Sequence, residues 1–474
     1  MNNSKQPSMN MTKTGLVLIF LIVSLTYTIR VLDGYIHVPL LLSAAFAGLI
    51  AVMSGYKWEE LEAGIVRTIS MAMPAILVML CIGMIVGVWI TAGVVPSLIY
   101  YGLQILSPGI FLVATCLICA VISLATGSSW TTAATVGIAL IGVGQGLGMP
   151  LPMVAGAIIS GAYFGDKMSP LSDTTNLAPA MAGANLFDHI RHMIFTTGPS
   201  LLIALVLYGL LGMRYAGKAL DTAGINEMLT ALQGSFNISL WMLLPPVIVI
   251  AIVVMKVPAV PGLFGGVLVG GLFGIVFQGN SVGDLFMNAY TGYSASTGVE
   301  FVDSLLSRGG IEGMYYTIGL ILCAMCFGGI MDNADMLKTI AGGIMKFAKS
   351  TGSLVVATIC TAIATNAVAG DQYLAIVLPG RMFKELYDER GLAPKNLSRI
   401  LEDSGTLTSP LIPWNTCGAY MHASLGVHPF AYAPYAFLNL INPLVSIFYG
   451  FTGITMTKMT DEEFAAYQAG KETV

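Results

Sequence analysis

The chain has 474 residues, of which 56% are hydrophobic and only 10% are charged. A water-soluble globular protein carries roughly 25% charged residues, so the composition excludes that class and indicates an all-α protein that crosses a lipid bilayer many times. The formal net charge is −4 and the basic residues are scattered, which excludes a nucleic-acid partner.

Apolar runs in the first half of the chain predict membrane-spanning helices, because each covers all or much of the hydrocarbon core. They lie at residues 15–32, 36–53, 74–91, 96–106, 110–125, 133–147, 151–164 and 197–212. Two polar stretches between them, residues 56–67 and 186–195, predict helices that lie in the membrane interface. Lys5 and Lys13 precede the first run and favour a cytoplasmic N-terminus.

The second half follows a hydrophilic connection at residues 213–237, which includes Lys218 and Asp221. Further spans are predicted at residues 238–255, 258–277, 314–331, 354–364, 373–379 and 430–449. Residues 278–312 predict a partly interfacial segment, residues 381–399 a solvated helix and loop, and residues 457–474 a polar C-terminal tail. With hairpins included, we expect about ten to thirteen membrane segments.

The two halves carry matching features in the same order, which indicates an internal repeat. A shift of 240 residues places Ser169-Pro170-Leu171 on Ser409-Pro410-Leu411, and other short matches follow the same order. We therefore predict a first transmembrane repeat at residues 1–212 and a second at 238–456, joined by the connection at 213–237. Secondary transporters are often built this way, with the binding site between the repeats. The alternative is a chance resemblance between two apolar halves.

Four polar stretches, here named the four breaks, interrupt the apolar runs. They are residues 126–132 and 165–176 in the first half and residues 365–372 and 402–416 in the second. Gly and Pro interrupt helical hydrogen bonding there. Lipid offers no replacement, so such backbone must be buried in protein or line a wet cavity. Its free carbonyls, with nearby hydroxyls and carboxylates, are hard ligands that suit Na⁺. No histidine or cysteine lies within the breaks and only Cys417 adjoins one, so no transition-metal site is expected.

Three aspartates in the breaks, Asp166, Asp173 and Asp371, are the leading candidates for binding Na⁺ and H⁺ in competition. A carboxylate at membrane depth is costly and is by default a functional-site hypothesis. A buried acid near other acids can also exchange a proton near neutral pH. Structural alternatives stay open for two of the three: Asp371 as a helix cap, and Asp166 as the partner of Lys167 in an ion pair.

Hydroxyl and amide groups in the breaks complete the candidate site. The predicted ligands are Ser128, Thr131, Thr132, Thr174, Asn176, Asn366, Thr406, Thr408 and Asn415. Each has a structural alternative, because hydroxyl groups also satisfy helix backbone inside membranes. Glu402 and Asp403 are weaker candidates, since they follow a charged segment and an interfacial structural role suits them equally well. His189 and His192 fit either a pH sensor or a plain interfacial helix.

Two long motifs resemble the signature of the NhaC-type bacterial Na⁺/H⁺ antiporters. The first is GDKMSPLSDTTNLAP at residues 165–179 with DHIRHM at 188–193, and the second is EDSGTLTSPLIPWNT at 402–416. The resemblance covers nearly the whole chain. It implies a bacterial inner-membrane exchanger that has the lipid bilayer, Na⁺ and H⁺ as partners and needs no cofactor. It also implies two inverted repeats, re-entrant hairpins, a scaffold part and a transport part, elevator-like movement and a homodimer.

Other functions stay open at this point. The same family includes exchangers of malate and lactate, and an organic anion needs Arg, Lys or helix N-termini in its site. Lys167 is the one basic residue inside a break. A channel is disfavoured, because repeats with charge-exchanging acids suit alternating access better than a continuous pore. An enzyme is not expected, since neither a nucleophile–base pattern nor a phosphate-binding loop is present in the sequence.

Overall fold

The computed structural model describes residues 9–216, 222–255 and 257–472, and within these ranges the chain is helical apart from one isolated bridge between Leu392 and Lys458. The predicted features at Lys5, at Lys218 and Asp221, and at residues 473–474 lie outside the described residues.

The first half of the chain forms a series of helices separated by short turns. They are α1 (Met11–Arg30), α2 (His37–Met53), α3 (Trp58–Thr91), α4 (Val94–Ile105), α5 (Pro108–Thr126), α6 (Ser129–Thr132), α7 (Ile138–Gly146), α8 (Leu151–Met168), α9 (Asp173–Ala182), α10 (Leu186–Ala216) and α11 (Thr222–Ser235). A π-helical turn, Ala133–Gly137, connects α6 to α7. The short helix α6 and this turn mark the first of the four breaks.

The second half has shorter and more interrupted helices. They are α12 (Leu244–Val254), α13 (Ala259–Phe273), α14 (Val282–Thr291), α15 (Glu300–Leu306), α16 (Tyr315–Asn333), α17 (Met336–Met345), α18 (Thr351–Ala369), α19 (Leu374–Glu389), α20 (Pro394–Leu401), α21 (Thr416–Leu425), α22 (Pro429–Tyr432), α23 (Phe437–Thr452) and α24 (Asp461–Glu472). Two π-helical turns lie at Gly274–Gln278 and Glu402–Thr406, and short 3₁₀ turns lie at Leu240–Leu243, Glu312–Met314, Ser409–Leu411 and Ala433–Tyr435.

Seven of the described helices are long and apolar enough to cross a membrane, and the number rises to nine if each of two bent helix pairs is one span. Those pairs bend by 96° between residues 224–235 and 240–254, and by 59° between residues 429–435 and 437–452. Three shorter apolar helices, α2, α4 and α17, accompany them. The prediction of an all-α, multi-pass membrane protein with discontinuous helices is therefore confirmed.

The structure corrects the two interfacial helices predicted at residues 56–67 and 186–195. These residues are the first turns of α3 and α10, which run unbroken for 34 and 31 residues through Pro74 and Pro199. A helix of 34 residues is roughly 51 Å long, well beyond the ~30 Å hydrocarbon core. Its polar start can therefore lie at the interface and still belong to a spanning helix.

The predicted solvated segment at residues 381–399 is also wrong at its C-terminal end. Arg399, in the last turn of α20, has no exposed surface. Burial of a guanidinium is tolerated only where an acid compensates it, and Asp403 follows one helical turn later with its Oδ2 atom 3.9 Å from Arg399 Nε. The charged residues of this segment therefore belong partly to a buried cluster and not only to a solvated surface.

Close packing of α5 against α8 fixes the position of the second break. A Cβ atom on Gly161 would lie 2.1 Å from the carbonyl oxygen of Cys116, and one on Gly165 would lie 2.4 Å from that of Ala120. The obstacles are backbone atoms, which cannot rotate away. The two helices can therefore approach this closely only with glycine at both positions, and this contact holds the neighbouring Asp166 in place.

Gly161→Ala is expected to destabilise the protein by about 1–3 kcal/mol, because the methyl group forces α5 and α8 apart. Thermal unfolding in detergent would show this as a lower midpoint. Gly342→Ala in α17 is the matched control, since no atom lies within 4 Å of the added methyl group. An unchanged midpoint for Gly161→Ala would contradict the packing argument.

Candidate functional site

The four breaks meet around one cavity with a volume of about 600 Å³. The first break contributes Thr126, Gly127, Ser128, Trp130 and Thr131; the second contributes Asp166, Leu171, Ser172, Asp173 and Thr174; the third contributes Asp371 and Gln372; and Thr416 comes from the fourth, next to Cys417. Tyr373 and apolar residues of α3, α12 and α13 complete the wall. The three predicted aspartates, which lie up to 205 positions apart in sequence, therefore share one cavity.

Glycines and polar caps form the sharp reversals at the cavity. Helix α5 ends at Gly127 and α18 ends at Gly370, both with φ of +70°, a conformation that favours glycine. Gly127 also lies close to the second break, since a Cβ atom there would be 2.6 Å from Leu171 Cβ. Ser128 begins the next helix, and its Oγ accepts a hydrogen bond from the Thr131 backbone N–H at 3.1 Å. The helices thus start and stop at the cavity because of local sequence.

Asp166 lies in the last turn of α8 and is 8% exposed. Its Oδ2 atom accepts hydrogen bonds from the backbone N–H of Ser129 at 3.1 Å and from Ser129 Oγ at 2.6 Å. Sequence reasoning singled out Ser128 and missed Ser129. Both stand in the same break, and which hydroxyl meets an acid depends on the turn at Gly127. This carboxylate is held firmly between two breaks.

Asp371 directly follows Gly370 and is 3% exposed. Its Oδ1 atom accepts a hydrogen bond from the Leu374 backbone N–H at 3.0 Å, so it does cap α19. Capping α19 uses only part of the acceptor capacity of Asp371, because a carboxylate has two oxygens with about four lone-pair sites. Asp371 can therefore hold the helix start and still present oxygen to the cavity.

Asp173 differs from the other two aspartates because its side chain is exposed. It is the first residue of α9, after the capping residue Ser172. Among the described residues, no three His, Cys, Asp or Glu side chains converge closely enough to hold one metal ion. The three aspartates are therefore spread around the cavity wall, two buried and one accessible.

The predicted neutral ligands fall into two groups. Ser128, Thr131 and Thr174 line the cavity, whereas Thr132, Asn176, Asn366, Thr406, Thr408 and Asn415 are not part of its wall. Thr132 Oγ1 donates to the Ser128 carbonyl at 2.9 Å, and Asn176 Nδ2 donates to the Ser172 carbonyl at 2.7 Å. In these two residues the side chain satisfies backbone, which was the alternative interpretation from sequence.

Asn366, Thr408 and Asn415 form a buried network that ties the two second-half breaks together. Asn366 Nδ2 donates to the Gly405 carbonyl at 2.7 Å and to Thr408 Oγ1 at 3.0 Å, and Asn415 Nδ2 donates to Asn366 Oδ1 at 3.0 Å. Next to this network, Gln372 Oε1 accepts from Ser409 Oγ at 2.8 Å. Sequence reasoning did not single out Gln372, which holds the Ser-Pro-Leu turn against the cavity wall.

Lys167 belongs to a separate charged cluster behind the cavity. Its ammonium group forms an ion pair with Asp403, and both side chains are fully buried. Asp403 also accepts hydrogen bonds from Thr196 Oγ1 at 3.1 Å and from Ser446 Oγ. The expected alternative, an ion pair between Lys167 and Asp166, is therefore wrong, and so is the interfacial placement of Asp403. The partner comes from the other half of the chain, so no local pattern indicated it.

His189 and His192 also lie inside the protein and not at an exposed interface. Their exposed fractions are 0% and 4%. His189 Nδ1 lies 2.8 Å from Ser398 Oγ, and His192 Nε2 lies 2.8 Å from the Thr455 carbonyl oxygen. Both histidines pack α10 against the segment around α20, which corrects the plain interfacial helix expected from their polarity.

Comparison with known proteins agrees with this architecture. A model of the Na⁺/H⁺ antiporter family matches residues 161–454. The malate-2H⁺/Na⁺-lactate antiporter of Bacillus subtilis (strain 168) is 40% identical over 435 residues, which is 92% of this chain and 93% of that protein. The Na⁺/H⁺ antiporter NhaC of Alkalihalophilus pseudofirmus is 40% identical over 423 residues (89% and 91%). The arginine/ornithine antiporter ArcD of Halobacterium salinarum is 39% identical over 430 residues (90% and 89%).

Proposed function

Because this chain belongs to the Na⁺/H⁺ antiporter family, we propose that it exchanges Na⁺ for H⁺ across the bacterial inner membrane. One observation carries the proposal: three aspartates share a cavity at the meeting point of four helix interruptions, and no Lys or Arg is among the described residues that line it. A site with this charge favours a cation. Oxygen ligands from carboxylates, hydroxyls and freed carbonyls suit Na⁺.

In the proposed cycle, Asp166 and Asp371 bind Na⁺ and H⁺ in competition, and the hydroxyl groups of Ser128 and Thr131 complete the Na⁺ shell. Exposed Asp173 would attract the cation to the cavity from solvent. Backbone carbonyls at the ends of α5, α8 and α18 add negative potential, because the C-terminal end of a helix carries partial negative charge. Only one type of ion would occupy the site at a time, which is the requirement for exchange.

We further propose that residues 1–212 and 238–456 are inverted repeats that move by an elevator-like displacement within a homodimer. The supporting observation is that breaks from both halves meet at one cavity. This is the arrangement expected of transporters with repeated, discontinuous helices. Cross-linking of cysteine pairs placed on α3 and α9 in opposite ion gradients would test the displacement.

A second candidate substrate is a basic amino acid, as in the name of the arginine/ornithine relative. A cavity of about 600 Å³ falls within the ~300–1,000 Å³ of small-molecule sites. Trp130 and Tyr373 add aromatic faces that favour an organic cation. The malate/lactate alternative is less favoured, because no Lys or Arg is among the described residues that line the cavity and Lys167 is committed to Asp403, which leaves only helix N-termini to bind an anion.

Proteoliposomes with an internal pH-sensitive dye test these alternatives. After a pH gradient is imposed, NaCl alone is expected to relieve dye quenching, whereas KCl, potassium malate and arginine with ornithine inside are expected to have no effect. A response that requires malate, or that requires the amino acid pair without Na⁺, would contradict Na⁺/H⁺ exchange and identify the substrate. Liposomes without protein serve as the control.

A further inference from the structure

Glu402 is a fully buried acid whose carboxylate accepts no well-formed hydrogen bond from the described residues. It opens the π-helical turn Glu402–Thr406, and its exposed fraction is 0%. Among the described residues, neither Oε1 nor Oε2 accepts a hydrogen bond of good geometry, although the hydroxyl groups of Thr406 and Thr174 lie near enough for weak contacts. An ionised carboxylate left in this state costs several kcal/mol. Uptake of a proton or of a cation would remove this cost.

The surroundings of Glu402 connect it to the cavity. Lys167 and Asp166 of α8 are the charged groups within interaction range of its carboxylate, and Thr406 and Thr174 are the nearest hydroxyl groups. Asp166 and Thr174 also line the cavity, so Glu402 lies one layer behind the cavity wall. Among the helices packed on this turn, α18 and α23 contain no charged residue.

Lys167 does not neutralise Glu402 by a direct bond, because its ammonium group pairs with Asp403. The side-chain amide of Asn442, oriented to satisfy both neighbours, accepts from Lys167 Nζ and donates to Asp403 Oδ1, each at 3.0 Å. Arg399 is bound on its other side by Thr455 Oγ1 at 2.8 Å. Both basic groups near the turn therefore bind other residues, and neither forms an ion pair with Glu402.

We propose that Glu402 holds a second transported proton at an inner site, behind the cavity carboxylates at which Na⁺ and H⁺ compete. The inference rests on the proposed Na⁺/H⁺ exchange. A proton turns the carboxylate into a neutral carboxyl group with one O–H donor, and the Thr406 hydroxyl can accept that bond.

Exchange then follows from electrostatics between the two sites. A Na⁺ ion beside Asp166 places positive charge one layer from Glu402, next to the charge of Lys167, and this repels the proton. Loss of the proton leaves a carboxylate whose negative charge in turn stabilises the bound Na⁺. Occupancy of the inner site by a proton therefore opposes occupancy of the cavity by Na⁺, and this effect adds to the direct competition between the two ions at Asp166 and Asp371.

Glu402→Gln tests the proposal, because the amide keeps the shape of the side chain and cannot release a proton. In weakly buffered detergent solution, NaCl added to the purified wild-type protein is expected to release protons that a pH dye detects. Glu402→Gln is expected to release about half as many protons per protein, to bind ²²Na⁺ within threefold of the wild-type affinity, and to exchange Na⁺ for H⁺ at least tenfold more slowly in proteoliposomes.

The controls separate the possible failures. Exposed Glu312→Gln should behave as wild type, and Glu402→Asp, which keeps a carboxyl group, should recover proton release; this second variant also serves if Glu402→Gln does not fold. If Glu402→Gln released as many protons as the wild type, the inner site would be wrong. The same would follow if Glu402→Asp released the wild-type number of protons but did not exchange Na⁺ for H⁺. Loss of ²²Na⁺ binding would make Glu402 a Na⁺ ligand instead. If the wild-type protein itself shows no Na⁺/H⁺ exchange, both proposals fall.

Discussion

Asp371→Asn is expected to lower the rate of Na⁺-driven proton exchange by at least 100-fold, which corresponds to about 2.7 kcal/mol. The amide oxygen can still accept the hydrogen bond from the Leu374 backbone N–H, so the start of α19 should remain in place. What disappears is the charge that binds the cation and the group that takes up the proton. The measurement is the initial rate of dye dequenching after NaCl is added to proteoliposomes.

Asp166→Asn is the companion variant and is expected to fail in the same way, because its amide oxygen can still accept both hydrogen bonds from Ser129. Exposed Asp188→Asn, at the start of α10, is the control for removal of an acid outside the cavity. Exchange within threefold of wild type in either cavity variant, with normal folding by size-exclusion chromatography, would remove that aspartate from the mechanism.

Lys167→Met is expected to destabilise the fold by about 3–5 kcal/mol, because it leaves Asp403 as an uncompensated buried charge. Both side chains of this ion pair are fully buried. The double variant Lys167→Met/Asp403→Leu is expected to recover most of the loss, since no charge then remains unpaired. Thermal unfolding of the four proteins in one detergent gives the coupling energy directly.

A surface pair supplies the matched comparison. Lys338 Nζ lies 2.6 Å from Asp335 Oδ1, and the two side chains are 62% and 44% exposed. Lys338→Met should therefore lower the free energy of unfolding by less than about 1 kcal/mol. If Lys167→Met were as mild as Lys338→Met, the buried pair would not be ionised and the account of the charged cluster would be wrong. If the double variant were no more stable than the single one, the loss would come from packing and not from charge.

Sequence reasoning was strongest where local chemistry decides the structure. Apolar runs predicted the helices, and Gly and Pro among hydroxyl residues predicted where helices stop. The positions of Asp166 and Asp371 beside such interruptions were enough to place both on one cavity. The inverted orientation of the repeats, the homodimer and the ion-binding roles of individual residues remain predictions.

Sequence reasoning failed where partners come from distant parts of the chain. Polarity alone cannot distinguish a solvated segment from a buried cluster, because paired charges can leave water together. For that reason Arg399 and His189 were placed at a surface, and the ion pair considered as an alternative for Lys167 was with its sequence neighbour Asp166 and not with Asp403. Ser129 and Gln372 were missed for a related reason, since their roles depend on how two turns meet.

The distance between Lys167 and Asp403 along the chain has a consequence for biogenesis. The two residues are separated by 236 positions. At a synthesis rate of ~5–20 residues per second, a nascent chain carries the lysine without its acid for roughly 12 to 47 s. An unpaired lysine at the bilayer centre costs about 2.5–3.5 kcal/mol on insertion scales. We therefore expect the segment with Lys167 to insert stably only after the second half has supplied Asp403.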